Sequence, residues 1–383
     1  MKSSRALIGM CFGFLMGVLF QSIVGFSFWL FFILILIAVI FSIFEIWGGS
    51  GRSFLFFILL LSCALGFFRA GTYHEDFSKE EKTFWHTSRE YLVKRTKSIL
   101  PQNEASLFNA MVFGYEKDVA QKIKEDFNIT GTRHVLAISG MNISIIALML
   151  MSFGLWLGLW RKQAFYVAVI AVIMFIFLVG APASAVRAGI MGILLLWAKN
   201  KGRLVQAWRP IMLAAFFMVA LNPKLLVFSI GFQLSFLAVI GIIYFKNFWA
   251  RVLFWVPTKP ARELVVLSMA AQTTTWPIIL YNFGTLSVIS PIANIFVVPL
   301  LNPIMFLGLG FVTVFWSSYL AQIFLWPVWL ILKVNIKIVE FFASFSWASV
   351  NMGKSGLAIL IFYPFLYLFW KYLENHGYND PLN

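Results

Sequence analysis

An arginine inside an apolar run has to answer to something negative, and Arg187 is such a residue. It lies in GAPASAVRAGIMG, residues 180 to 192, where Gly180, Pro182 and Ser184 interrupt one apolar stretch and open the next. A helix N-terminus offers unbonded N–H groups and partial positive charge, so a guanidinium beside it makes a seat for a phosphate. The competing reading is an interfacial arginine that snorkels to the head groups. The string HVLAISGMNIS, residues 134 to 144, sets His134, Ser139 and Asn142 at helical spacing, with Gly140 leaving room for a close neighbour. A single histidine with no second histidine or carboxylate near it in sequence is a poor metal site, which favours a structural role.

Other polar groups stand inside apolar runs. Lys333, Lys337, Glu340 and Ser344 follow helical spacing and form one stripe, read either as a cavity lining or as snorkelling lysines on an interfacial helix. Gln233 in GFQLSF and Gln272 in AQTTTWP suit hydrogen bonds between helices. Asn294 lies between Pro291, Pro299 and Pro303 in a run that reads as a kinked span or a re-entrant pair.

The elements that must position these groups are membrane helices. The chain of 383 residues is 61% hydrophobic and 12% charged, with a mean hydropathy of +0.87, too apolar for a soluble globule. Apolar runs long enough to cross a hydrocarbon core of about 20 residues appear before residue 71 and after residue 133. They predict an all-α, polytopic fold of about 11–12 transmembrane helices. The first run carries Lys2 and Arg5 without a small-residue cleavage pattern and reads as an uncleaved helix. Cys11 and Cys63 lie inside apolar runs, so neither a disulfide scaffold nor a metal knuckle is expected. No cofactor is implied.

Charge divides the chain. Residues 72 to 133 hold ten basic and ten acidic residues, so the whole net charge of +15 belongs to the membrane part and its short loops. With the N-terminus inside, thirteen loop residues from Lys2 to Arg262 are cytoplasmic, against Arg69 and Lys224 outside. This organises the chain as N-terminal spans (1–71), an extracytoplasmic helical segment (72–133), a second membrane domain (134–373) and a polar tail (374–383). In the outer segment Pro101 opens an amphipathic helix with Leu107, Phe108, Met111 and Val112 on one side and Gly114 as its cap. A second short helix carries Val119, Ile123 and Phe127.

Four of these strings, in order, resemble the competence domain of the ComEC family. They are GTRHVLAISGMNIS (131 to 144), GAPASAVRAGIM (180 to 191), NPKLLVFSIGFQLSFLAVIG (222 to 241) and SPIANIFVVPLLNP (290 to 303). The resemblance implies a channel in the bacterial plasma membrane that passes single-stranded DNA into the cytoplasm. It also implies an outer DNA receptor, a cytoplasmic ATPase and a separate nuclease as partners. Arg187, His134, Ser139, Asn142, Gln233, Gln272, Asn294, Lys333 and Lys337 would contact the strand or line its path. Where family members often carry a second histidine this chain has Asn142, so no histidine pair is expected. Residues 72 to 88 are too short for the oligonucleotide-binding fold of larger members. The His-x-His-x-Asp-His string of their nuclease domain does not occur in this sequence.

Single-strand passage needs basic groups for phosphates and aromatic faces for stacking, and the membrane part offers both. A transporter or channel for another, anionic, solute stays open, as does a structural subunit beside a separate pore. An enzyme is disfavoured because the acids outside residues 72 to 133 are only Glu45, Glu263, Glu340, Glu374 and Asp380, far apart in the chain.

Overall fold

The computed structural model describes residues 2–46, 52–73, 84–138, 140–200, 208–354 and 357–375. Ser139, residues 74–83 of the outer segment, the loop cations Lys201 and Arg203 and most of the polar tail lie outside the described residues. In chain order the helices are α1 (Lys2–Val24), α2 (Phe28–Ile46), α3 (Arg52–Gly71), α4 (Phe84–Lys97), α5 (Gln102–Phe113), α6 (Gln121–Ile129), α7 (Arg133–Leu136) and α8 (Gly140–Trp156). They continue as α9 (Arg161–Leu178), α10 (Ala183–Asn200), α11 (Trp208–Leu221), α12 (Leu225–Phe228), α13 (Ile230–Val252) and α14 (Lys259–Phe283). Strand β1 (Thr285–Ser287), α15 (Ser290–Val314), α16 (Ser318–Ala343), β2 (Ser349–Asn351) and α17 (Leu357–Asn375) complete the order.

Among the described residues seven helices are long and apolar enough to cross a membrane, and four apolar helices are shorter. The architecture is therefore all-α and multi-pass. The run with three prolines forms one continuous helix, α15, with Pro299 and Pro303 inside it.

Two compact units divide the chain, residues 1–79 with 190–236 and residues 80–189 with 237–383, the boundaries falling within α10 and α13. In the first unit α1 packs on α3 through glycine. A Cβ on Gly13 would stand 2.3 Å from the Leu59 carbonyl oxygen, and one on Gly66 2.1 Å from that of Phe14. These backbones meet directly, as small residues allow in helices that share an apolar solvent. Arg69 closes the end of α11, donating from Nε to the Ala220 carbonyl and from Nη2 to that of Leu221, both at 3.0 Å.

The second unit is built around α5. Pro101 fixes φ at −58° before the first turn, and Gly114 ends the helix at φ 66°, with its N–H returned to the Ala110 carbonyl at 3.1 Å. Cap and stop lie where the turn chemistry places them, but the helix is not amphipathic in its setting. Every residue from Ala105 to Phe113 is buried, including Ser106 and Asn109. The reason is that α4, α7, α15 and α16 pack on it and share its hydrophobic cluster.

The stretch around α5 also follows α15 along its length. Arg95 donates to the Phe315 carbonyl at 3.2 Å, Phe108 meets Phe311 edge-to-face with ring centroids 6.1 Å apart, and Val112 and Phe108 pack on Gly308. At the other end of α15 the Ser290 hydroxyl reaches the Gly131 carbonyl at 3.5 Å. Residues 105 to 113 are part of the core of this unit.

One buried hydrogen bond locks α4 to α5. Thr96 Oγ1 donates to Asn109 Oδ1 at 2.7 Å, and both side chains are essentially inaccessible to water. Thr96→Val keeps the shape and removes the donor, leaving a buried amide oxygen unpaired, which costs about 1–3 kcal/mol. Thermal unfolding of the purified variant is expected to show a lower midpoint, and an unchanged midpoint would mean the pair contributes nothing.

A second cluster joins α13, α14 and α17. Thr274 Oγ1 donates to the Leu237 carbonyl at 2.7 Å and the Tyr363 hydroxyl to the Thr274 carbonyl at 3.1 Å. Strands β1 and β2 pair antiparallel, Leu286 opposite Val350, and tie the α14–α15 connection to the chain leaving α16.

Candidate functional site

The two strings that carry His134 and Arg187 meet in space. Ser184, in the first turn of α10, donates its hydroxyl to the Ile138 carbonyl. Gly140 opens α8 directly against α10, for a Cβ there would stand 3.3 Å from both the Arg187 guanidinium nitrogen Nη2 and the Ala188 methyl. The guanidinium thus lies against the first residue of α8, in a contact that a side chain at Gly140 would crowd. Asn142, fully buried, donates from Nδ2 to the Met111 carbonyl at 3.2 Å and anchors α8 to α5.

The turn before α10 is unusual. Gly180 has φ 86° and Ala181 φ 49°, so a non-glycine residue occupies left-handed space, where Cβ crowding costs about 1–2 kcal/mol. The N–H groups of Gly180 and Ala181 return to Phe177 and Ile176 carbonyls and close α9, and Pro182 then starts α10 at once. Arg89 holds this turn from α4, donating to the Val179 carbonyl at 3.1 Å.

Electrostatically the site is one-signed. Neither α8 nor α10 has an acidic residue in its first turn, and neither string contains an aspartate or glutamate. Two helix N-termini and one guanidinium thus add positive potential from strings that carry no carboxylate of their own. Arg187 is only 8% exposed, so its charge acts where screening by water is weak. Such an arrangement binds negative charge. His134 stands at the edge, exposed, with its Nδ1–H placed to donate to the Gly131 carbonyl at 3.3 Å.

The expected helical spacing of His134 and Asn142 does not survive. Ala137 is extended, with ψ 146°, and the chain breaks between α7 and α8. His134 and Asn142 therefore belong to different helices, and what unites them is tertiary packing.

The remaining candidates stand elsewhere. Gln233 belongs to the first unit, where its Nε2 donates to the Leu226 and Val227 carbonyls at 3.1 and 2.7 Å and closes α12. Gln272 is half-buried on α14. Asn294 donates to Ser268 Oγ at 2.9 Å and ties α15 to α14. Lys333 and Lys337 are exposed on α16, on the side away from its buried residues Leu332, Asn335 and Val339. Among the described residues no three His, Cys, Asp or Glu side chains are grouped to hold a metal ion.

One polar residue went unnoticed in the sequence. Asn335 is completely buried on α16, and neither its Oδ1 nor its Nδ2 has a hydrogen-bond partner. A buried unpaired amide costs about 1–3 kcal/mol on protein scales. Asn335→Ala removes it, and we expect the thermal midpoint to hold or rise, a sign opposite to that of most core truncations. A clear fall would show that the amide is bonded in the folded protein.

Helices of this length and composition define a multi-pass membrane protein, with Arg187 buried where α8 and α10 meet. The chain belongs to the competence protein family, whose model, described as "Competence protein", matches residues 111–375. It is 29% identical over 212 residues to ComE operon protein 3 of Bacillus subtilis (strain 168), an alignment covering 55% of this chain and 26% of that protein. The chain thus matches about a quarter of the length of that curated relative. No solved structure matches it.

Proposed function

We propose that this protein acts in DNA uptake during natural transformation, as a plasma-membrane channel through which one strand enters the cytoplasm. The observation that carries the reading is the convergence of Arg187 with the N-termini of α8 and α10, a binding site for a phosphodiester inside a membrane domain. Membership of the competence family supplies the biological setting. A strand crossing this site would exchange its counterions for the fixed positive charge. Within the matched region Gln272 and Asn294 are polar groups that would line the path beyond it. An outer receptor, a cytoplasmic ATPase and a nuclease supplied by other proteins would deliver, pull and trim the strand.

Fluorescent DNA in the native host tests this reading. Deletion of the gene should abolish entry into the cytoplasm while surface binding persists, and the intact gene should restore it. Entry at the wild-type level in the deletion strain would sink the reading. A charge-selective leak of small anions through the purified protein, with no DNA entry in cells, would assign the same site to a solute.

A further inference from the structure

The structure separates Lys333 and Lys337 from the anion site described above. On α16 the residues at Leu325, Val328, Leu332, Asn335 and Val339 are buried against the unit. The two lysines, a turn apart, face outward. Between α16 and α15 lies an open groove of about 530 Å³, walled by Phe296, Leu330, Val334 and Ile338 with Lys333 and Lys337 on its edge. Both helices qualify as membrane spans, so an outward groove on them faces lipid.

Depth and charge identify an occupant. At 1.5 Å per residue α16, with 26 residues, is about 39 Å long, longer than a hydrocarbon core of about 30 Å. The middle of α16 is near residue 330, so Lys337 lies about 10 Å from it and about 5 Å inside the boundary, within reach of the head groups by snorkelling, and Lys333 lies one turn deeper in the core. Trp347 is exposed just beyond the helix and stacks on Phe345, as expected of an aromatic at the membrane interface. Lys333 Nζ sits over the Trp329 ring at 5.0 Å, and Lys337 Nζ pairs with Glu340 Oε2 at 2.8 Å. Two ammonium groups and one carboxylate leave a single net positive charge above an apolar floor. A phospholipid with one negative phosphodiester and an acyl chain has the complementary form.

We propose that this groove binds an acidic phospholipid, its phosphate drawn to Lys337 with Lys333 a turn beneath it and an acyl chain along Phe296 and Val334. The proposal is independent of DNA transport and assigns these lysines to the bilayer instead of the strand. Each lysine near the membrane surface changes affinity for an acidic lipid by about fivefold.

The test uses the full chain in nanodiscs of phosphatidylcholine alone or with phosphatidylglycerol, read by thermal unfolding and by native mass spectrometry of retained lipid. Phosphatidylglycerol should be retained in preference and raise the unfolding midpoint. Lys333→Gln with Lys337→Gln should remove both effects while the midpoint in phosphatidylcholine stays as in the wild type. Inorganic phosphate should not mimic the lipid. Equal retention of both lipids by the wild-type protein would overturn the proposal, as would selective retention that survives the double substitution. If the double variant does not fold, a photoreactive phosphatidylglycerol on the wild-type protein decides: crosslinks on α16 around residues 330 to 338 support the site, and crosslinks elsewhere only refute it. Loss of single-stranded DNA binding in the double variant with lipid selectivity intact would return the lysines to the DNA path.

Discussion

Arg187→Ala is expected to reduce DNA entry by one to two orders of magnitude without lowering the amount of protein in the membrane by a comparable factor. A hydrogen bond to a charged partner contributes about 1.5–3 kcal/mol, and each 1.4 kcal/mol is about a factor of ten. The guanidinium is nearly buried, so water does not replace it as it would on a surface. Arg187→Lys keeps the charge but loses the planar fork, and a point charge on a flexible stem holds a phosphate less well. Entry should therefore rank wild type, then Arg187→Lys, then Arg187→Ala. The same ranking in membrane abundance would reveal a folding defect instead, and equal entry in all three would remove Arg187 from the path.

Lys333→Ala is the matched comparison. It also deletes one positive charge from a membrane helix, but from the outward face of α16. If positive charge in the membrane part assisted import in general, both substitutions would weaken it alike. The geometry instead places the effect at Arg187, where Gly140 lets the guanidinium meet the opening of α8.

The difference between the two sites also marks where sequence reasoning reaches its limit. The apolar runs and the Pro101 and Gly114 signals are local, set by composition and backbone sterics, and they could be read directly. Orientation about a helix axis is different. In a soluble protein the polar face reports the outside, but a membrane helix is apolar toward lipid and toward its neighbours alike, so the stripe Lys333, Lys337, Glu340 has no readable direction. The same ambiguity hid the burial of α5. Leu107, Phe108, Met111 and Val112 marked one apolar side, yet Asn109 is buried too, its Oδ1 accepting from Thr96, thirteen residues away and on another helix. Of the anion site, the residues Arg187, His134 and Gly140 were visible as strings. Their meeting depends on the Ser184 bond to the Ile138 carbonyl and on the extended Ala137, which no spacing rule encodes.

Gly17→Leu is expected to be the most damaging substitution in the first unit. A Cβ at this position would lie 1.9 Å from the Cys63 carbonyl oxygen and 2.9 Å from the Phe67 amide nitrogen. Both are backbone atoms in the middle of α3, so no rotamer change relieves the clash. The helices must move apart, and Gly13 and Gly66, which make the same kind of approach about a turn away, lose their contacts with it. In a bilayer no hydrophobic drive returns the separated helices, because lipid solvates them as well as they solvate each other. The loss is then packing itself, at or above the roughly 3 kcal/mol upper end for overpacked cores. Gly17→Ala should already destabilise, with Gly17→Leu falling further, in thermal unfolding of protein extracted into mild detergent. Gly9→Leu on the same helix, where nothing stands within 4 Å of the new Cβ, should melt as the wild type does. A Gly17→Leu protein that melts with the wild type would mean that α1 and α3 do not touch at this glycine.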